Sequence, residues 1–321
     1  MKRIFIYLLP ILMSAITHAQ TITVSGTVND QQGKPLPFVF LRDSQHSYAT
    51  MTDLLGSFSF KVDPASKIVA SVTGFKDVAI PVNNKTTVNV VMEQGIAEHS
   101  NGKPLSTSTS TDIFKPDLGV AVTRVSDYVR VNEGLHGSRF LSEKWMRGFA
   151  ISYTDSLIQS SDYFFNYDKT MSDLLFTRDQ RAVFAADKQE VKAFTIVDEG
   201  GAFYDFESVP AIDPKHYSMV LSSGDKYKIY RLLTCKLIKA NFTTNGITSS
   251  GNNYDEYVDE NHYFIWNVKT KQLQPVELKS KSIKTVLAAE ADKIKAFNKE
   301  HGDDDINDAY LKDLGDYLNN K

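Results

Sequence analysis

The residues that could do catalytic or metal chemistry are scattered through the 321-residue sequence and match no known motif. No two histidines stand four positions apart and no His-x-x-Glu pair occurs, so the spacings typical of zinc ligands are missing. Neither a Gly-x-Ser-x-Gly elbow nor a glycine-rich phosphate loop is present. The sequence therefore predicts no catalytic residue, no metal and no cofactor, and leaves open only a metal site assembled from distant histidines. The histidines outside the N-terminal segment are His46, His99, His136, His216, His262 and His301.

Cys235 is the single cysteine of the chain, so an intrachain disulfide is excluded. It stands in a run of apolar residues in which Leu233, Cys235 and Leu237 would share one face of a strand. This position favours a buried, inert thiol over a nucleophile.

Acidic residues are concentrated at Asp255, Glu256, Asp259 and Glu260. They do not follow the pattern of an EF-hand loop, and we expect a polar, solvated loop over residues 243–261 rather than a calcium site. The run of three aspartates at 303–305 is better explained as the start of a helix, with Asp305 as its cap.

Aromatic residues are the one suggestive feature for binding. Tyr254, Tyr257 and Trp266 are the predicted ligand-binding residues, because exposed aromatic rings bind sugars or peptides by stacking and burial. The competing interpretation is that these aromatics, like the cluster at 163–167, alternate along strands and fill a core.

The N-terminal segment is typical of a secretory signal peptide over residues 1–19. Lys2 and Arg3 precede a short apolar run, and Thr17 and Ala19 occupy the positions that a signal peptidase reads before Gln20. The run is shorter than the roughly 20 residues that a membrane-spanning helix needs, which disfavours the alternative of an anchor. The expected location is the periplasm, the outer membrane surface or the medium, with no transmembrane span in the mature chain.

Composition points to an ordinary globular protein. Charged residues make up 23% of the chain, the formal net charge is −3 and the isoelectric point is about 6.2. This balance gives no reason to expect binding to nucleic acid through counterion release. At roughly 100–200 residues per domain, the length predicts two domains. It leaves the oligomeric state open.

The predicted fold class is mainly β. Residues 20–94 contain about seven short strands separated by turns, which is typical of an immunoglobulin- or transthyretin-like β-sandwich. A linker rich in serine and threonine follows at 95–118. Residues 119–321 predict an antiparallel roll or meander that ends in two amphipathic helices, at about 282–300 and 305–320.

Motifs in the first domain resemble the carboxypeptidase regulatory-like domain, a transthyretin-like β-sandwich. They are Thr27-Val28-Asn29-Asp30, Gly33 with Pro35-Leu36-Pro37, Thr52-Asp53-Leu54-Leu55-Gly56-Ser57-Phe58 and Val72-Thr73-Gly74-Phe75-Lys76. The resemblance implies an accessory module without chemistry of its own. In the same sandwich Gly33 and Gly56 suit turns, and Asp53 suits a turn carboxylate rather than a catalytic group.

The second domain resembles the C-terminal region of uncharacterised exported proteins of Gram-negative bacteria, which also close on a tail like Tyr317-Leu318-Asn319-Asn320. Two functions stay open. The first is a non-enzymatic envelope protein that binds a protein or glycan. The second is an exported, hydrolase-like enzyme with an unrecognised site in residues 119–321. A purely structural role is a third and weaker hypothesis.

Overall fold

The computed structural model describes residues 21–95, 135–158, 163–180, 183–244, 246–302 and 304–320. The predicted signal peptide and nearly all of the predicted linker lie outside these residues. The described part is mainly β with helices near the C-terminus, so the predicted fold class is confirmed. The strands of the first module are β1 (Ile22–Asp30), β2 (Phe40–Asp43), β3 (Ala49–Met51), β4 (Ser57–Val62), β5 (Lys67–Ser71), β6 (Val78–Pro81) and β7 (Val90–Met92).

These seven strands form two sheets, one in the order β4-β1-β7 and the other in the order β3-β2-β5-β6. Alternation explains the packing: Phe58, Phe60 and Val62 of β4 are buried, while Ser59 and Lys61 between them are exposed. Strands β3 and β4 each pair on one side only, with β2 and β1 respectively. They are therefore edge strands.

The turn between β3 and β4 is fixed by a side chain and a glycine. The Asp53 carboxylate accepts hydrogen bonds from the backbone N–H groups of Leu55 and Ser57 at 2.9 and 2.8 Å. Gly56 has a φ of +71°, and a Cβ there would lie 2.5 Å from the carbonyl oxygen of Val28. The turn roles predicted for Asp53 and Gly56 are confirmed.

The second module holds the remaining strands. They are β8 (Leu135–His136), β9 (Arg147–Ser152), β10 (Leu157–Ile158), β11 (Phe164–Asp168), β12 (Asp173–Thr177), β13 (Phe184–Ala185), β14 (Val191–Val197), β15 (Phe203–Ser208), β16 (Tyr217–Ser223), β17 (Tyr227–Ile238), β18 (Thr243–Thr244), β19 (Ser249–Ser250), β20 (Asp255–Asn267) and β21 (Gln272–Val276).

Nine of these strands form one large sheet, in the order β10-β9-β14-β15-β16-β17-β20-β21, with β8 added in parallel to β20. From β14 to β21 it is an antiparallel meander. The only interruption among the described strands is the β18–β19 hairpin, which connects β17 to β20. A small sheet, β11-β12-β13, is formed by residues inserted between β10 and β14.

We call the side of the large sheet that packs on the small sheet and the helices the covered face. Its centre is aromatic: the ring of Phe206 lies 4.5 Å from that of Tyr167 and 4.7 Å from that of Phe194. These side chains are at most 1% exposed. Tyr163, Phe165 and Tyr167 therefore belong to the core, as the competing interpretation predicted for the cluster at 163–167, whereas Phe164 is only partly buried and lies under Arg147.

The C-terminal helices are α1 (Ser280–Val286), α2 (Ala291–His301) and α3 (Asp308–Asn320), with a 3-10 turn at Ala288–Glu290. The first predicted helix, 282–300, is thus divided at Leu287, which leaves helical geometry with φ −106° and ψ 33°. Leu287 is buried, and Glu290 accepts a hydrogen bond from the hydroxyl of Tyr227. These tertiary contacts outweigh the local preference for one continuous helix.

The cap predicted for the last helix is wrong by two residues. The helix begins at Asp308, and the side chain of Asn307, not of Asp305, accepts the backbone N–H of Tyr310 at 3.1 Å. Asp308 instead contacts the sheet, where its carboxylate binds Arg231 at 2.5 Å and the hydroxyl of Tyr263 at 2.8 Å. These bonds hold α3 on the covered face.

The two modules are in contact through a small apolar cluster. Phe40 and Met51 of the sandwich pack on Phe149 and Val197 of the large sheet, and all four side chains are at least 95% buried. The rings of Phe40 and Phe149 lie 5.4 Å apart. The sandwich therefore sits on the side of the large sheet opposite the covered face, which we call the cleft face.

In the described part of the chain, no helix combines the length and the apolar character needed to cross a membrane.

Candidate functional site

A cleft of about 500 Å³ lies between the sandwich and the cleft face of the large sheet. The sandwich borders it with β3 and β4, and the large sheet forms its floor with β9, β14 and β15. At one end the turn after β3 approaches the turn after β14, since a Cβ on Gly201 would lie 3.4 Å from Cγ of Leu54. The residues that line the cleft are Ala49, Thr50, Met51, Asp53, Ser57, Phe58, Ser59, Phe60, Phe149, Thr195, Phe203 and Asp205.

The sandwich side of the cleft consists largely of backbone. Successive side chains of a strand point to opposite sides, so four consecutive residues of β4, 57–60, can border one space only along the edge of the strand. The same holds for residues 49–51 of β3. Among the described strands, no neighbour pairs with either of these edges.

Register shows which peptide groups point into the cleft. Two backbone bonds define the pairing of β3 with β2: the N–H of Asp43 binds the oxygen of Tyr48, and the N–H of Thr52 binds the oxygen of Val39. In an antiparallel pair, every second residue is hydrogen-bonded to its partner, counted from these two bonds. The residues between them, Ala49 and Met51, must direct their N–H and C=O groups to the open edge.

On β4, the bond from the N–H of Val28 to the oxygen of Gly56 fixes the same alternation. Ser57 and Ser59 then face outward. Asp53 already occupies both peptide groups of Ser57, because its N–H binds the Ser57 oxygen and its carboxylate accepts the Ser57 N–H. Ser59 is thus the position of β4 that offers its backbone to the cleft.

The floor of the cleft is a row of side chains across three adjacent strands. Thr195 of β14 lies directly opposite Phe149 of β9 on one side and Asp205 of β15 on the other. The Thr195 hydroxyl donates a hydrogen bond of 2.6 Å to the Asp205 carboxylate. Phe203, two residues before Asp205, shares this face, and its side chain is 39% exposed.

Asp205 is the chemically distinctive group of the site. Asp205 is exposed to solvent in the cleft, and partial loss of hydration nevertheless raises the pKa of its carboxyl. The hydrogen bond from Thr195 opposes the rise, and the negative charge of Glu207 adds to it. A positively charged partner would offset both the loss of hydration and the repulsion from Glu207.

The charges that border the cleft have one sign. Two aspartates, Asp53 and Asp205, are among the lining residues, and none of the lining residues is a lysine, arginine or histidine. Glu207, which lies beyond Asp205 on the same face, is neutralised by Lys228 at 3.0 Å and bound by the hydroxyl of Tyr230 at 2.9 Å. The Asp53 carboxylate is occupied by two backbone N–H groups, which leaves Asp205 as the lining carboxylate with a single hydrogen bond and no charged partner.

The structure places the predicted ligand-binding aromatics away from this cleft and not all together. Tyr254 stacks on His136 with ring centroids 3.8 Å apart. Tyr257 and Trp266 both lie on β20, but nine residues of regular strand put them on opposite faces and about 30 Å apart. Trp266 lies between Lys228 and Leu273 in the register of the sheet. These residues form no common platform, and ligand binding at any one of them stays a prediction.

The predicted polar loop over residues 243–261 is wrong in its second half. Asp255, Glu256, Asp259 and Glu260 belong to β20, which pairs with the whole length of β17. Lysines compensate their charge: Lys239 binds Asp255 at 2.7 Å and Lys236 binds Glu260. This cross-strand pairing lets an acid-rich segment form a strand.

The predicted burial of Cys235 is confirmed. Burial raises the pKa of its thiol to about 11, although the positive charge of Lys169 opposes this effect. Lys169 is itself buried and binds Asp259 at 2.6 Å. The thiol is therefore held in its protonated, unreactive form at neutral pH.

Within the residues that the structure describes, no three histidine, cysteine, aspartate or glutamate side chains come together so as to hold a metal ion. No protein-family model matches this chain, and no curated protein sequence matches it significantly.

The residues of the cleft floor were not among those predicted from the sequence. Residues 191–197 and 202–206 alternate in the sequence, which gives a face with Phe194 and Phe206 and a second face with Thr195 and Asp205. The signal was thus present as a carboxylate and a threonine on the less apolar face of neighbouring strands. Only the packing of the sandwich on that face turns it into a site.

Proposed function

We propose that this chain is an exported, non-enzymatic binding protein of the cell envelope, and that the cleft between its two modules holds a protein or glycan ligand. The observation that carries the proposal is the cleft itself. Its volume of about 500 Å³ lies within the usual range for ligand sites, roughly 300–1,000 Å³. Exposed Phe203 and the carboxylate of Asp205 supply the apolar and polar contacts that such sites combine.

The sandwich has a direct part in this function. The resemblance to carboxypeptidase regulatory-like domains implies an accessory module, and here its strands β3 and β4 form one wall of the cleft. Phe40 and Met51 anchor that wall on the large sheet. On this proposal the sandwich is accessory in the sense that it completes a binding site, rather than serving as a spacer.

The proposal is tested by affinity capture with a matched pair of variants. The immobilised protein is incubated with solubilised cell envelope, and retained proteins and glycans are identified by mass spectrometry. The double variant Phe203→Ala/Asp205→Asn removes an exposed ring and a charge from the cleft. Phe242→Ala/Asp313→Asn makes the same two changes at exposed positions outside the cleft lining.

We expect wild type and the control to retain the same species and the cleft variant to lose them. Equal retention by both variants, or no species enriched by wild type, would contradict a binding function of this cleft.

A second candidate function is supported by one observation. Two carboxylates, Asp53 and Asp205, line the same cleft, and the pKa of Asp205 is raised, as in acids and bases of hydrolytic sites. The alternative is therefore an exported hydrolase. It is tested with fluorogenic ester, peptide and glycoside substrates: turnover by wild type that disappears in Asp205→Asn supports it, and turnover that is absent or unchanged in this variant counts against it.

Export itself is also part of the proposal. N-terminal sequencing of the protein recovered from the periplasm, outer membrane or medium should begin at Gln20. Recovery of the full-length chain from the cytosol would refute it.

A further inference from the structure

Two open strand edges, those of β3 and β4, border the cleft on its sandwich side. Ala49 and Met51 of β3 and Ser59 of β4 direct peptide N–H and C=O groups into it, as the register of their sheets requires. Unpaired edges of this kind accept an additional strand from another polypeptide. A glycan would leave this regular spacing of backbone donors and acceptors unused.

The floor beneath these edges favours a positive charge. The Asp205 carboxylate receives one hydrogen bond, from Thr195, and no basic residue lines the cleft. Phe203 lies two residues away on the same face with 39% of its side chain exposed, so its ring can contact a cation that binds Asp205. Phe149, on the other side of Thr195, adds an apolar contact.

We propose that the ligand is an extended polypeptide segment that pairs with the open edges of β3 and β4 and places an arginine or lysine side chain against Asp205. This inference rests on the proposed binding function and specifies its ligand. In an extended segment every second side chain points to the same side, at intervals of about 6.6 Å. One basic residue on the floor side can bind Asp205, and an apolar residue at a neighbouring alternate position can contact Phe203 or Phe149.

The test is a selection from a random heptapeptide display library against the complete protein. We expect the selected peptides to share an arginine or lysine at one position. A synthetic copy of a selected peptide is then measured by fluorescence anisotropy. Replacing its basic residue with glutamine should weaken binding by about tenfold, because a charge-assisted hydrogen bond is lost. Asp205→Asn should weaken binding similarly, and the matched control Asp313→Asn, which lies on α3 on the covered face, should leave it unchanged.

Strand addition is tested separately from charge. N-methylation of alternate peptide nitrogens removes backbone donors and keeps every side chain. Because the N–H groups of a strand point alternately to its two sides, each methylation register removes the donors to one of the two edges, and both registers should weaken binding. Unchanged affinity in both registers would overturn strand addition.

Each remaining outcome decides against part of the scheme. Selected peptides without a basic preference, or with equal affinity for Asp205→Asn, overturn the inference. Failure to select any peptide, together with binding of neutral oligosaccharides that Phe203→Ala removes, overturns the inference and leaves the proposed binding function standing. Failure of both kinds of ligand, together with unchanged envelope capture by the cleft variant, overturns both.

Discussion

The two faces of the large sheet differ in what covers them, although the same strands build both. On β14 and β15, Phe194 and Phe206 point to the covered face and are at most 1% exposed beneath the small sheet. Thr195 and Asp205 alternate with them and point to the cleft, where the sandwich covers the sheet only in part. One face is closed by apolar packing, and the other presents polar groups to a cleft.

This difference implies that stability and binding are separable. Burial of aromatic side chains on the covered face contributes to the free energy of folding, whereas groups on the cleft face remain available to a ligand. Substitutions on neighbouring residues of the same strand should therefore have effects of different kinds.

The largest effect is expected for Phe206→Ala on the covered face. The ring is buried between Tyr167 and Phe194, and its removal leaves a cavity that should cost about 3–5 kcal/mol in the free energy of unfolding. Urea denaturation followed by circular dichroism measures it. A loss below about 1 kcal/mol would show that the covered face is not tightly packed.

A smaller loss is expected for Gly315→Ala in α3, which covers the same face. In an exposed helix this change would stabilise the helix by about 1 kcal/mol. Here a Cβ would lie 2.5 Å from the side chain of Ser222 on the sheet, so we expect a loss of about 1–3 kcal/mol from overpacking. An increase in melting temperature would contradict the close contact between α3 and β16.

A pH-dependent effect is expected for Asp205→Asn on the cleft face. The folded protein raises the pKa of this carboxyl above its value in the unfolded chain, so its contribution to stability is greatest below the unfolded pKa, near 3.8, and is lost as the pH rises through the folded value. The melting temperature of Asp205→Asn relative to wild type should therefore increase from acidic to neutral pH. A difference that is constant with pH, or that decreases, would contradict the raised pKa.

The smallest effect on stability is expected for Phe203→Ala. Its ring is partly exposed in the cleft, and the change in the free energy of unfolding should stay within about 0.5 kcal/mol. Ligand capture should nevertheless fall. A large loss of stability would mean that Phe203 supports the fold instead of the site.

Much of the fold could be predicted where most residues of a segment favour a strand by themselves. Strands β14 and β17 can be recognised in the sequence, because β-branched, aromatic and apolar residues make up most of each. The first half of β20 was missed, since its acidic residues become compatible with a strand only when Lys236 and Lys239 lie across from them. For such an acid-rich segment, residues distant in sequence determine whether a strand forms.

The candidate site could not be predicted, because the two modules form it jointly. The pattern in 191–197 and 202–206 shows which side chains share a face, and the turn at Asp53 was predicted correctly. Nothing in either pattern specifies that β3 and β4 face Thr195 and Asp205. That arrangement depends on how two separate modules pack.

The apolar contact between the modules also bears on how the protein can be divided. Phe40 and Met51 of the sandwich are buried against Phe149 and Val197 of the large sheet. A protease cut anywhere between residues 95 and 135 should therefore yield two pieces that co-elute on a sizing column. Either piece expressed alone would expose the apolar residues of this contact to solvent. Poor solubility of a truncated protein would then result from this exposed apolar surface.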